Sequence, residues 1–290
     1  PTFTTGIFRT WFGLADPAAA AQLASVLMTF VFVLIVLERH SRRRARFFHT
    51  SGRYSRLPRY RLTGWRKVGA VVLCLLPVAF GFVIPGAQLG RWALATPEVW
   101  MHREFLRLMG NSLSLASIAA ALAVLLAVIM AYGKRLRPAL PIRAAVRVAG
   151  MGYAIPGTVI AVGVMLPFAW LDNTTDDLMR QYFGVSTGLI LSGTLAAVVF
   201  AYCVRFLAVS LQTVEAGLAK IKPSMDDAAR SLGMGPLQVL RRVHLPILRG
   251  SLLTALVLVF VDVLKELPAT LILRPFNFNT LAVRAFELAS

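Results

Sequence analysis

Long apolar runs, separated by short polar and mostly basic segments, set the pattern of this chain. Six runs are long enough, or nearly so, for the roughly 20 helical residues that cross a hydrocarbon core: Ala18 to Leu37, Val68 to Leu89, Asn111 to Tyr132, Val148 to Leu171, Gly188 to Leu211 and Ser251 to Leu273. The expectation is an all-α integral membrane protein, a polytopic bundle of about six membrane helices.

Composition agrees. Of the 290 residues 57% are hydrophobic and 15% charged, too little polar surface for a water-soluble domain. The net charge of +18 would suit nucleic acid if it formed a face. Instead the positive residues sit between the apolar runs, where the positive-inside rule places them, so no nucleic-acid partner is expected. Eleven Lys or Arg and no acid lie between Arg39 and Lys67, and five and no acid between Gly133 and Arg147. Both segments are assigned to the cytoplasm. Glu98, Glu104, Asp172, Asp176 and Asp177 fall on the opposite side, and alternation puts the segment 212–250 inside. The Arg-rich stretch 39–67 lacks apolar periodicity and reads as a linker, with anionic lipid headgroups as its natural contact. It divides a helix in 1–38, the end of a preceding domain, from a second domain over 68–290. Because the chain opens on Pro1 and stops at Ser290 without a polar tail, it is expected to be an internal piece of a longer protein, without a signal peptide.

Cys74 and Cys203 lie within apolar runs, and His40, His49, His102 and His244 are scattered. No disulfide or resident metal is expected. Trp65, Trp92 and Trp100 fall where membrane interfaces are expected, and Asn111, Ser112, Ser114 and Ser117 suit hydrogen bonds between packed segments.

Within 212–250 the residues from Ile221 to Pro246 have the grammar of helix, turn, helix. Pro223 and Ser224, followed by Asp226 and Asp227, suit a helix start. Gly233 and Gly235 stop that helix, and Pro236 restarts one. Asp227-Ala228-Ala229, then three residues, Gly233, nine residues, Val243, one residue and Leu245-Pro246 resembles the EAA loop of binding-protein-dependent ABC importer permeases. That pattern has Glu where this chain has Asp227 and Ile where it has Val243. The resemblance implies the type I, MetI-like permease fold, with the loop docking as a coupling helix on an ATPase subunit. Without the resemblance, the same segment is a connector whose glycines serve the turn. Pro1 to Ile7, Tyr153 to Thr158, and Lys265 to Thr270 with Leu273 to Phe276 resemble the ferric-iron-type branch, which fuses two permease halves. By that resemblance the chain holds the end of the first half and most of the second.

Asp262, Lys265 and Glu266 interrupt the last apolar run, where an ionised side chain costs about 2.5–3.5 kcal/mol on insertion scales. They line a pathway, or they lock helices together. Pro156, Gly157 and Pro268 are hinge candidates within membrane helices, or simply the prolines and glycines common there.

The resemblance implies a permease subunit in the bacterial cytoplasmic membrane, passing ferric iron from an external binding protein and partnered by two copies of an ATPase. No Gly-x4-Gly-Lys-Ser/Thr phosphate loop occurs in the chain, so ATP is expected on that partner, with no cofactor and no catalytic residue here. The rival readings are a proton-coupled secondary transporter and a membrane-embedded lipid-modifying enzyme. Both would use Asp262, Lys265 and Glu266, and the enzyme reading leaves the cytoplasmic loop unexplained.

Overall fold

The computed structural model describes residues 2–42, 60–96 and 103–289, with side chains of 38–42 excepted. Most of the basic linker with His49, and residues 97–102 with Glu98, Trp100 and His102, lie outside the described residues. The described part is helical: α1 (Phe3–Phe12), α2 (Pro17–Arg42), α3 (Gly64–Ala95), α4 (Arg103–Leu136), α5 (Leu140–Ala149), α6 (Gly157–Phe183), α7 (Leu195–Leu218), α8 (Pro223–Ser231), α9 (Pro236–Leu264), α10 (Pro268–Leu273) and α11 (Leu281–Ala289). Of these, α2 (over Pro17–Leu37), α3, α4, α7 and α9 are long and apolar enough to cross a membrane. The 27 residues of α6 carry their apolar stretch in the first half and acids in the second.

The contacts divide the chain differently from the boundaries read in the sequence. Residues Pro1–Leu37 and Leu108–Ser290 form one unit, and Glu38–Arg107 another. The first helices join the larger unit because Ile7, Ala20 and Ala24 bury against Val159 and Val162 of α6. In the smaller unit α3 has no buried residue, and Trp65 and Trp92 are exposed. A helix that is apolar over most of its length, with no residue buried among the described residues, is suited to lipid.

In the larger unit, small residues set the spacing. Ala116, Ala119, Ala120, Ala123, Ala127 and Ala131 repeat every three or four positions along α4 and are all buried. They let α6 and α7 approach closely, as membrane helices require when hydrophobicity alone cannot drive association. Tyr202 and Phe206 of α7, Val259 and Val263 of α9, and Ile272 and Leu273 of α10 complete that core.

Several spans begin or end away from their sequence limits, each for a visible reason. The run from Val148 is not one helix: Gly152–Ala154 form a 3₁₀ turn, and α6 starts only at Gly157, after Pro156. Proline disfavours helical geometry in the residue before it, and Ile155 is extended. Likewise α9 stops at Leu264 and α10 starts at Pro268. The three candidate hinges therefore mark breaks between helices rather than kinks within them. Residues 188–194 are not part of α7, because the Asp172 carboxylate accepts hydrogen bonds from the amides of Ile190 (3.2 Å), Leu191 (3.0 Å) and Ser192 (2.7 Å) and holds them as a loop. Two π turns, Ala79–Val83 and Leu240–His244, come just before Pro85 and Pro246. A proline has no amide hydrogen for the regular ladder and crowds the carbonyl four residues back, and a widened turn relieves both.

Asn111 donates to the Asn279 carbonyl (3.0 Å), and the Leu281 amide donates to Ser112 Oγ (2.8 Å). These two polar groups bind α4 to the segment entering α11. The Ser114 hydroxyl bonds within its own helix, to the Asn111 carbonyl.

Asp176, near the end of α6, anchors the loop that follows. Its carboxyl is lowered to about 2 by the Ser186 hydroxyl, with the Gly188 and Thr187 amides and the Arg180 guanidinium adding to the effect. A depressed carboxyl stabilises the fold above its unfolded value of about 3.9, and that contribution is lost as pH falls through about 2. The Thr187 and Gly188 amides are therefore expected to stay protected from hydrogen exchange down to mildly acidic pH, and Asp176→Asn to lose that protection already at neutral pH.

Candidate functional site

Helix α8 and the first turns of α9 form a knob beyond the apolar ends of α7 and α9. Its first helix ends in a Schellman arrangement: the Gly233 amide donates to the Arg230 carbonyl (2.9 Å) and the Met234 amide to the Ala229 carbonyl (3.1 Å). Gly233 has φ +79°, a left-handed conformation that a side chain resists. Gly235 then caps α9, and Pro236 takes its first position.

The motif residues divide between two faces. Asp227, Ala228 and Gly233 are exposed, Ala229 is buried, Val243 and Leu245 are half-buried, and Pro246 is exposed on α9. Met225, Leu232 and Leu237 add large exposed apolar side chains. One outward surface thus combines an acid, small residues and apolar groups, while Ala229 and Val239 seat the knob from behind.

The expected capping at the start of α8 is not what forms. Lys222 is the N-cap and no side chain caps the helix. Asp226 instead turns inward. Its carboxylate accepts from Arg135 Nε (2.8 Å) and from His244 Nε2 (2.6 Å). Burial pushes this carboxyl up, but the bonds and charges of Arg135 and His244 outweigh it and hold it below its ordinary value. The remaining guanidinium nitrogens of Arg135 donate to the Leu218 and Ile221 carbonyls, each at 2.9 Å. Tyr132 donates to the Pro236 carbonyl (2.7 Å) and meets the His244 ring edge-on. These three side chains carry little signal in the sequence: Arg135 is one of several cytoplasmic basic residues, Tyr132 ends an apolar run, and His244 is isolated from the other histidines, although it lies between Val243 and Leu245 of the motif.

The charges on the last membrane run do not form one cluster. Lys265 and Asp262 pair at 2.8 Å, with Lys265 largely exposed. Glu266 is buried in the break before α10, and its Oε1 accepts from Arg205 Nη1 of α7 (3.3 Å) and the Ala269 amide (3.3 Å). Arg205 is the residue that sequence reasoning missed here. Its signal was a lone arginine in the apolar stretch of α7, which requires a partner. A Cβ on Gly157 would overlap both Arg205 Nη1 and Glu266 Oε1, so a larger residue at the start of α6 would have to push these two side-chain ends aside. Pro268 opens α10 two residues after Glu266, so Gly157 in space and Pro268 in sequence both lie close to the ion pair.

Residues 123–285 match the family described as binding-protein-dependent transport system inner membrane component. The Fe(3+)-transport system permease protein FbpB 2 of Haemophilus influenzae is 26% identical over 302 aligned positions, covering 100% of this chain and 55% of that protein. A putative 2-aminoethylphosphonate transport system permease protein, PhnV, of Salmonella typhimurium is 31% identical over 135 residues, 47% of this chain and 45% of the relative. The chain thus spans about half the length of the curated relatives it matches. Among solved structures, a chain of a bacterial alginate ABC transporter, in complex with an alginate pentasaccharide-bound periplasmic protein, has a TM-score of 0.59 at 13% identity. That match covers 78% of this chain and 83% of the other.

Two substitutions test the two charge centres. Asp226→Ala removes an acceptor from Arg135 and His244 and is expected to cost about 1.5–3 kcal/mol, the worth of hydrogen bonds to charged groups, seen as a lower melting temperature in detergent. Glu266→Ala leaves Arg205 buried and unpaired, and the expected loss is larger, about 3–5 kcal/mol, by the same measurement.

Proposed function

Because the chain belongs to the binding-protein-dependent transport system inner membrane component family and is a multi-pass inner-membrane protein, we propose that its knob is the coupling element of an ATP-driven importer. In this reading the chain is the permease part, and ATP is hydrolysed on separate ATPase subunits, in two copies. The solute arrives on an external binding protein. The observation that carries the reading is the outward surface of the knob, with Asp227 and Ala228 exposed beside Gly233. Small residues admit a partner helix closely, and Asp227 is placed to meet a basic group on it.

The mechanism follows from the attachments. The knob is continuous with α9 through the π turn Leu240–His244 and joins α7 through a short turn after Leu218. Closure of two ATPase subunits would move it as a rigid lever, and α7 and α9 would carry the motion into the membrane. Glu266 and Arg205 then lock α7 to the start of α10, rather than offering free charges to a solute. Ferric iron is the solute this reading assigns, supported by the name of the relative that aligns with the whole chain. The PhnV match supports 2-aminoethylphosphonate as the second reading.

The test is copurification of the full-length parent protein with the ATPase encoded beside it. Asp227→Lys and Gly233→Pro are each expected to release the ATPase while the membrane protein stays folded, and unchanged binding would overturn the coupling role. Uptake of radiolabelled ferric iron against labelled 2-aminoethylphosphonate by the wild-type system decides the solute.

A further inference from the structure

Helix α4 is separated from the knob along the chain by α5, α6 and α7, yet it holds the knob at several points. Arg135, in its last turn, spends all three guanidinium nitrogens across one junction. Nε goes to Asp226 of α8, while Nη1 and Nη2 go to the carbonyls of Leu218 and Ile221 on either side of the turn leaving α7. One helical turn earlier, Tyr132 holds the Pro236 carbonyl at the start of α9. Lys134 pairs with Glu215 of α7 at 2.6 Å. A planar guanidinium with three fixed partners cannot swivel as an ammonium can, so displacement of the knob must displace the end of α4.

The other end of α4 is also tied. Asn111 and Ser112 bond to Asn279 and Leu281, at the entry to α11. From Arg135 back to Asn111 is 24 positions, about 36 Å at about 1.5 Å per helical residue. The stretch between is unbroken α-helix without a proline. It bears on its neighbours through buried alanines together with the buried Leu115 and Val128.

We infer that α4 is a transmission rod, gripped by Arg135 and Tyr132 at the knob and released through Asn111 and Ser112 at α11, so that knob movement reaches α11 as well as α7 and α9. This rests on the reading of the knob as the ATPase-docking element. Asp226 and Asp227 then have divided tasks: Asp227 faces the partner, and Asp226 connects the knob to the rod. Arg135 is a positioning residue, acting through Asp226 and the two carbonyls.

The experiment uses the full-length parent, its ATPase and its binding protein in proteoliposomes, and measures ATPase retained, ATP hydrolysed and solute accumulated. Arg135→Gln is expected to retain the ATPase and its hydrolysis while solute moved per ATP falls by about tenfold, the scale set by losing charge-assisted bonds. Arg135→Lys, which keeps the charge with fewer fixed donors, is expected to recover part of that loss. A double variant at the far end, Asn111→Ala with Ser112→Ala, leaves the knob untouched and is expected to lower solute per ATP in the same direction. Wild-type solute per ATP in both Arg135→Gln and the far-end variant would overturn the rod. So would loss of the ATPase from Arg135→Gln, since Arg135 would then only shape the docking surface. Absence of the ATPase from the wild type would remove the docking reading itself, and the rod with it.

Discussion

Hydrocarbon offers no hydrogen bonds, so every polar group carried into it must be answered by another group of the same protein. That constraint shapes the larger unit. Arg205 enters the apolar stretch of α7, and Glu266 answers it from the break between α9 and α10. The break itself exposes backbone groups, and the same Glu266 oxygen accepts the Ala269 amide there. Gly157 gives up a side chain so that α6 can close over the pair. One interaction thus joins three segments distant in sequence, and the ends of α6, α9 and α10 are placed by it.

A different regime holds at the knob. The contacts of Asp226 with Arg135 and His244 are largely shielded from water, and geometry is secured by their convergence. Arg135, Tyr132, His244 and Asp226 provide that convergence from α4, α8 and α9. The outcome is a compact knob whose polar contacts with α4 lie behind its outward face. Asp227, Ala228 and Gly233 are exposed on that face.

The two regimes meet along α4. Its alanine stripe belongs to the membrane core, and its last turn, with Lys134 and Arg135, belongs to the knob. A helix of 34 residues is about 50 Å long at about 1.5 Å per residue, well beyond the roughly 30 Å of a hydrocarbon core. Residues 103–110 precede the apolar run that begins at Asn111, and residues 133–136 carry Lys134 and Arg135 to the knob.

The sequence by itself determined the class, the approximate spans and the helix, turn, helix grammar of 221–246, because these rest on local properties: apolar run length, glycine and proline placement, and motif spacing. It also singled out Asp227, Gly233 and Glu266 as residues needing explanation. Tertiary structure alone decided their partners. Glu266 could have paired with Lys265 one position away, but its partner is Arg205, 61 positions away. Asp226 could have capped α8, but Arg135 lies 91 positions away and takes its carboxylate instead. A charged group settles with the partner that best offsets its lost hydration, and packing, not chain distance, brings that partner near.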